Sequence, residues 1–190
     1  MFYPLYLEES DTDLIYEMRR RQAEHEPYLR QKAYGDFIAR WPWEWFVTFT
    51  FTEDVHRERA FKLYLLWASK LNRDIYGARW YKRGGCHWVF SFERQKSGRW
   101  HIHALMAGVK DSRRLTWMDK WVALDRVAGW ARIEPVQNQI AVSKYVTKYV
   151  SKDGRLEFSK NLRDITRDLA SPEFGSLTNP CTAVAKLAGK

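Results

Sequence analysis

The segment Trp45–Thr52, WFVTFTFT, constrains the fold more than any other part of the sequence. It is rich in β-branched and aromatic residues, and from Val47 onward apolar residues alternate with threonines at a period of two. Side chains alternate between the two sides of a β-strand. The pattern therefore predicts a strand at 46–52, with Val47, Phe49 and Phe51 on a buried face and the threonine hydroxyls on the other.

Apolar periodicity and turn residues place further elements on both sides of this strand. Gly84-Gly85 and Ser97-Gly98 predict turns, the second of which closes a hairpin. In chain order, the predicted elements are a helix within 10–40 that Pro27 bends or interrupts, the strand at 46–52, a helix at 53–76, strands at His87–Arg94 and from about Trp100 to Val109, a helix near Leu115–Val127, a strand at Ala131–Pro135 and a helix at 138–151. This order predicts an α+β fold with a mainly antiparallel sheet.

Length and composition fit a single globular domain. The chain has 190 residues, of which 45% are hydrophobic and 29% charged, so it is expected to bury a core of its own. The sequence has no apolar run that would span a bilayer, and its N-terminus lacks the features of a secretory signal. With only Cys86 and Cys181, a disulfide scaffold is excluded, and reduced thiols in a cytoplasmic protein are expected.

The charge balance points to a polyanionic partner. The formal net charge is +9, and residues 79–114 carry nine basic side chains against two acidic ones. In this region the stretch RWYKRGGCHW, at 79–88, interleaves aromatic and basic residues, which would suit stacking on unpaired bases. The alternative is that the tryptophans fill the core while the charges solvate the surface.

The motif HIH, at His101 and His103, is a candidate metal site. Residues i and i+2 of a strand point to the same side, and paired imidazoles are ready metal ligands, although such a pair is also common on strand surfaces. Glu93 lies on the preceding strand, and a hairpin closed at the Ser97-Gly98 turn would place it opposite the histidines. One carboxylate and two imidazoles suit Mn²⁺ or Mg²⁺, and Zn²⁺ would also bind. Alternatively, Glu93 pairs with Arg94 or Arg99.

The segment KYVTKYVSK, at 144–152, repeats Tyr-Val-x-Lys with a period of four. On a helix its valines form one buried row, Tyr145 and Tyr149 lie one turn apart beside that row, and Lys148 and Lys152 follow beyond the tyrosines. In one interpretation the tyrosines pack at the edge of the core and the lysines are solvated. In the other, a phenol attacks phosphorus to form a phosphotyrosyl ester, a divalent ion polarises the phosphate, and the lysines neutralise its charge.

The succession FVTFTF, E-x7-HIH and YVTKYVSK resembles the three motifs of the HUH endonucleases, named for two histidines around a hydrophobic residue. Histidines that precede the tyrosines are typical of the Rep class of this superfamily. Two tyrosines separated by three residues resemble those of the A-protein group of replication initiators from single-stranded DNA phages and related plasmids. The resemblance spans about residues 45–152, so we expect one HUH domain over 1–190, with this motif-bearing core, a helical extension at 10–40 and an irregular tail at 169–190.

The resemblance implies a site, an activity and a fold. The implied site residues are Glu93, His101 and His103 as ligands of Mn²⁺ or Mg²⁺, Tyr145 and Tyr149 as nucleophiles, and Lys148 and Lys152 as the lysines that follow them. The implied reaction nicks single-stranded DNA at an origin, usually exposed in a hairpin. It leaves a 5′-phosphotyrosine on the enzyme and a free 3′-hydroxyl that primes rolling-circle replication. The implied fold is a central antiparallel sheet of about five strands, similar to the RNA-recognition-motif layout, flanked by helices.

Other functions remain open on the sequence alone. A two-tyrosine HUH transposase would use the same site, and a non-catalytic binder of single strands would use only the basic and aromatic surface. A structural metal site in a protein of another function is a third alternative. The sequence has no GxxxxGK phosphate-binding loop, so neither ATPase activity nor a small-molecule cofactor is expected of this chain, although a host helicase is a conceivable partner. No membrane partner is expected.

Overall fold

The computed structural model describes residues 9–109, 112–148 and 156–162. Its centre is a five-stranded sheet in the order β4-β1-β3-β2-β5, and all four strand pairings are antiparallel. The elements are α1 (Glu9–Ile38), β1 (Trp45–Phe51), α2 (Arg57–Tyr76), a 3₁₀ turn (Trp80–Lys82), β2 (His87–Arg94), β3 (Trp100–Ala107), α3 (Arg114–Val122), β4 (Ala128–Pro135), α4 (Gln139–Thr147) and β5 (Leu156–Phe158). The prediction of an α+β fold built on an antiparallel sheet is confirmed.

The strand predicted from WFVTFTFT is the middle of this sheet. β1 lies between β3 and β4, and its residues alternate strictly between buried and half-buried positions. Val47, Phe49 and Phe51 point to the main core, as their spacing predicts. The threonines between them point to the opposite face, where Thr48 lies opposite His103 and Thr50 opposite His101.

One face of the sheet, here called the core face, is fully covered by α2 and α3. Aromatic rings dominate the contact: Phe49 stacks on Trp121 with ring centroids 4.0 Å apart and meets Trp67 edge-on at 4.7 Å. Tyr64 from α2 packs against Phe90 at 4.5 Å. Because these rings exclude water over most of the sheet, the core face supplies the main hydrophobic stabilisation of the fold.

The opposite face, here called the site face, is covered over only part of its area. Ile38 at the end of α1 and Val146 of α4 join Val89 and Leu105 of the sheet in a second, smaller core. α1 and α4 approach closely because Gly35 has no side chain: a Cβ at this position would lie 3.4 Å from the Thr147 hydroxyl. Beyond this small core, the far ends of β2 and β3 and the outward side of β4 stay open, which leaves room for a ligand.

Several predicted boundaries differ from the structure. α2 begins at Arg57 rather than at residue 53, because Thr52 extends the ladder toward β4, with its amide donating to the Val127 carbonyl at 3.0 Å. α3 ends at Val122 rather than near Val127, because Asp125 accepts a hydrogen bond from the Val127 amide and forms a turn into β4.

The N-terminal helix also differs from prediction, since α1 runs from Glu9 to Ile38 without an interruption at residue 27. The end of the helix predicted at 138–151 and the tail predicted at 169–190 lie outside the described residues. Within the described ranges, none of the helices is both long and apolar enough to cross a membrane.

Candidate active site

A single hairpin brings the predicted metal ligands together. β2 and β3 pair so that Glu93 lies directly opposite His101, and His103 follows two residues later on the same face. The connecting turn is closed by Gly98, whose φ of 83° lies in the left-handed region that glycine adopts without strain. The ligand atoms of Glu93, His101 and His103 all lie within 4.8 Å of one another, so this triad could hold a metal ion.

Hydrogen bonds link the members of the triad to one another. Nε2 of His103 lies 2.8 Å from Oε2 of Glu93. The side-chain amide of Gln95 donates to the same carboxylate oxygen at 3.1 Å and lies 3.2 Å from Nδ1 of His101. Two imidazoles and a carboxylate that converge in this way match the nitrogen and oxygen donors of divalent transition-metal sites, so the residues present fit such an ion.

Burial keeps the two histidines in the form that binds metals. His103 is only 4% exposed, and this burial lowers its pKa, although the hydrogen bond and charge of Glu93 act in the opposite direction. Burial also lowers the pKa of His101, with the neighbouring His103 as the next cause. Both imidazoles are therefore neutral at neutral pH, and each has a nitrogen lone pair to offer a cation.

Thr48 of β1 orients His103 from behind. Its hydroxyl lies 3.3 Å from Nδ1 of the imidazole, on the side of the ring away from Glu93. A hydroxyl both donates and accepts, so it serves Nδ1 in either tautomer of the ring. Such a contact to the second nitrogen is the usual way in which a protein fixes the orientation of a metal-binding histidine.

The alternative partners considered for Glu93 are engaged elsewhere. The Arg94 guanidinium pairs with Asp54 at 3.2 Å, and the Arg99 guanidinium donates to the backbone carbonyl of Thr52 at 3.1 Å. No ion pair joins Glu93 to an arginine in the part of the chain that the structure describes. The carboxylate is thus directed into the triad.

A groove of about 550 Å³ opens beside the triad along the hairpin. Glu93 and His101 form its inner wall, and Arg94, Lys96 and Arg99 contribute cations to its rim. Positive charge around a divalent-ion site favours a phosphate-bearing ligand over a neutral one.

Tyr145 of α4 lies against the triad. Its ring centroid is 5.3 Å from that of His103 and 5.4 Å from that of Phe46, and both contacts are edge-to-face. The side chain is 39% exposed, so one part of the ring packs on the site while another part faces solvent. The structure therefore brings the first tyrosine of the predicted pair to the predicted metal ligands.

The position of Tyr145 depends on how α4 is anchored. Asn138 caps the helix by accepting a hydrogen bond from the Ala141 amide at 3.0 Å. The Gln139 amide bonds to both backbone groups of Trp43, donating to the carbonyl at 2.7 Å and accepting from the N–H at 3.1 Å. Because Trp43 closely precedes β1, this clamp ties the start of α4 to the strand beneath the site.

The remaining predicted site residues follow Tyr145. Lys148 is exposed at the C-cap of α4, and its amide donates to the carbonyls of Lys144 and Tyr145. Tyr149 and Lys152 lie outside the described residues. Of the predicted site, the structure thus assembles the three candidate ligands with one tyrosine and places one lysine at the end of the same helix.

Gln95 is a member of the site that the sequence analysis missed. It lies at the start of the turn, where its amide donates to the Arg99 carbonyl at 3.0 Å. Its spacing of two residues from Glu93 was the available signal, because residues i and i+2 of a strand share a face.

These features define an α+β protein with a candidate metal centre on a partly open sheet face, beside a helix-borne tyrosine. The chain belongs to the ORF2 family of replication-associated proteins, whose model matches residues 44–154. No curated protein and no solved structure matches the chain. Family membership makes this a DNA replication protein and implies that it binds DNA.

Proposed function

We propose that this chain is a metal-dependent single-stranded DNA endonuclease and strand transferase that initiates rolling-circle replication of a plasmid or phage. It nicks a replication origin through a 5′-phosphotyrosine intermediate. The observation that carries the proposal is the 5.3 Å separation between the rings of Tyr145 and His103. A phenol that close to a candidate cation site is within reach of a phosphate held there.

In the proposed nicking step, the phenolic oxygen of Tyr145 attacks the scissile phosphorus. A new oxygen–phosphorus bond forms, the bond from phosphorus to the 3′-oxygen breaks, and that oxygen leaves as a free 3′-hydroxyl after it takes up a proton. A divalent ion, Mn²⁺ or Mg²⁺, held by Glu93, His101 and His103 supplies Lewis-acid polarisation of the phosphate. Lys148 is proposed to neutralise phosphate charge.

The second tyrosine completes the cycle in this proposal. Tyr149, with Lys152 beside it in the sequence repeat, attacks the regenerated origin after a round of synthesis. The released 3′-hydroxyl then reseals the strand held by the first tyrosine. Each transfer exchanges one phosphodiester for another, so no ATP is consumed. The substrate is an unpaired strand, exposed in a hairpin at the origin, and a host helicase would unwind the duplex ahead.

The test is a denaturing gel of the protein with a labelled single-stranded origin oligonucleotide and Mn²⁺. Wild-type protein should form a covalent adduct. Tyr145→Phe and Tyr149→Phe should each retain adduct, and the double variant should lose it. Tyr81→Phe is the matched control, since Tyr81 is an exposed phenol on the 3₁₀ turn before β2. An adduct formed by the double variant would refute the tyrosine assignment.

The metal assignment has its own test. His103→Ala should abolish cleavage while sparing most of the oligonucleotide binding, and omission of the divalent ion should have the same effect. Normal cleavage by His103→Ala would show that the triad is not the metal centre. Binding without any adduct from wild-type protein would instead indicate a non-catalytic binder of single strands.

A further inference from the structure

An exposed tryptophan lies on the open part of the site face. β4 directs Ala131 and Ile133 into the core, so Trp130 and Arg132 point to the other side of the sheet. Trp130 is 55% exposed. Tryptophan is a large apolar residue that is highly buried on average, so a half-exposed indole beside a candidate active site calls for a ligand with a flat apolar surface.

Strand pairing fixes how far this indole lies from the triad. Thr50 lies opposite His101 on β3, and its hydroxyl donates to the Trp130 carbonyl of β4 at 2.9 Å. Trp130 and His101 are therefore two strands apart in neighbouring rows of one face. Two strand spacings correspond to about 10 Å between their backbones. A nucleotide adjoining a phosphate at the triad would reach this indole.

The aromatic and basic stretch at 79–88 is less suited to that role. Trp88 is 8% exposed and belongs to the core. Tyr81 is 64% exposed, but it precedes β2, whose first residue, His87, is six residues before Glu93. Six residues of strand place it about 20 Å or more from the triad. Position therefore favours Trp130 over Tyr81 as the aromatic contact near the site.

We propose that Trp130 is a stacking platform for one unpaired nucleobase of the strand whose phosphate lies at the triad. This inference rests on the proposed function. The local charge agrees with a stacking role, because the Arg132 guanidinium beside Trp130 is paired with Glu134 at 2.6 Å. Stacking on an indole requires only the face of a base and is tolerant of sequence.

The experiment measures binding of a fluorescent single-stranded origin oligonucleotide by anisotropy, without a divalent ion, so that binding is separated from cleavage. Trp130→Ala should weaken binding by roughly 5- to 100-fold, which is the usual range for loss of one base–aromatic stack. Trp130→Phe should retain most of the affinity. Trp130→Leu, which is apolar but has no aromatic face, should resemble Trp130→Ala. Tyr81→Ala is the matched control and should bind like wild type.

A second measurement identifies the base. In a series of oligonucleotides with one abasic residue at successive positions, one position should weaken wild-type protein as much as Trp130→Ala does and should weaken that variant no further. The slope of log affinity against log salt should be unchanged in Trp130→Ala, because no phosphate contact is lost.

The outcomes separate the two proposals. Unchanged binding by Trp130→Ala, full affinity in Trp130→Leu, or additive losses at every abasic position would overturn the stacking role, whatever the adduct assay shows. Circular dichroism of each variant verifies folding, and Trp130→Phe keeps the comparison valid if the alanine variant is unstable. A wild-type protein that binds with this pattern but forms no adduct would refute the nuclease and leave the platform standing.

Discussion

Replacement of Thr48 by valine tests whether the hydroxyl behind His103 supports the candidate metal centre. Valine has the same branched shape, so β1 and its pairing with β3 should persist. The change removes the group that lies 3.3 Å from Nδ1 of His103 and puts a methyl group in its place. Nε2 then loses part of its orientation toward Glu93, and we expect weaker binding of Mn²⁺.

The expected size of the effect follows from the geometry. Loss of a group that orients a metal-binding histidine typically lowers metal affinity about 10- to 100-fold. The contact between Thr48 and His103 is longer than the roughly 2.5–3.0 Å of strong hydroxyl hydrogen bonds, which places the expected loss at the low end. We therefore expect affinity to fall about tenfold, equivalent to ~1.4 kcal/mol.

The assay is calorimetric titration of Mn²⁺ at about pH 7.5, where the histidines are neutral, with wild type, Thr48→Val, Thr48→Ser and Thr50→Val. Serine keeps the hydroxyl and should restore most of the affinity. Thr50→Val is the matched control, because its hydroxyl donates to the Trp130 carbonyl rather than to a candidate ligand, and its affinity should change less than about twofold. Wild-type affinity in Thr48→Val, or an equal loss in Thr50→Val, would refute the reasoning.

Three further predictions concern other parts of the molecule. Gln139→Ala removes both hydrogen bonds to Trp43, so it should lower adduct formation in the gel assay while Mn²⁺ affinity in calorimetry stays within about twofold, because α4 and not the hairpin is released. Phe49→Ala should lower the free energy of unfolding by ~3–5 kcal/mol in urea titrations, because it removes the ring that stacks on Trp121. His87 is packed against Trp41 with a buried Nδ1 that finds no partner among the described residues, and burial lowers its pKa from 6.5. The unfolded chain therefore binds the proton more readily, so stability is greatest above about pH 6.5 and falls below it; His87→Phe should reduce the loss measured between about pH 7.5 and pH 5.

The fold was predictable where residue pattern and environment agree. Alternation in β1 indicated both its position and its buried face, since a one-residue error would expose every ring on that strand. The errors lie at helix ends. Thr52 resembles a helix start locally, but its amide and hydroxyl bond to the residues that lead into β4 instead, and only the assembled sheet provides those partners.

The candidate site was predictable in the parts that one hairpin determines. The Ser97-Gly98 turn sets the register, and the register places Glu93 opposite His101. Thr48 and Trp130 could not be assigned to their partners because that requires the strand order β4-β1-β3, which no local pattern encodes. Gln95 was missed because its position in the turn concealed that it shares a face with Glu93.

The origin of all three candidate ligands in one hairpin has a consequence for how the protein matures. Bringing Glu93 to His101 and His103 closes a short stretch of chain, which costs little entropy, and hairpins form within about 1–10 μs. Tyr145 is presented by a helix much later in the chain, which must dock on α1 and on Trp43. We expect a nascent chain to capture its cation before it acquires its nucleophile, so that an unfinished protein cannot cut DNA.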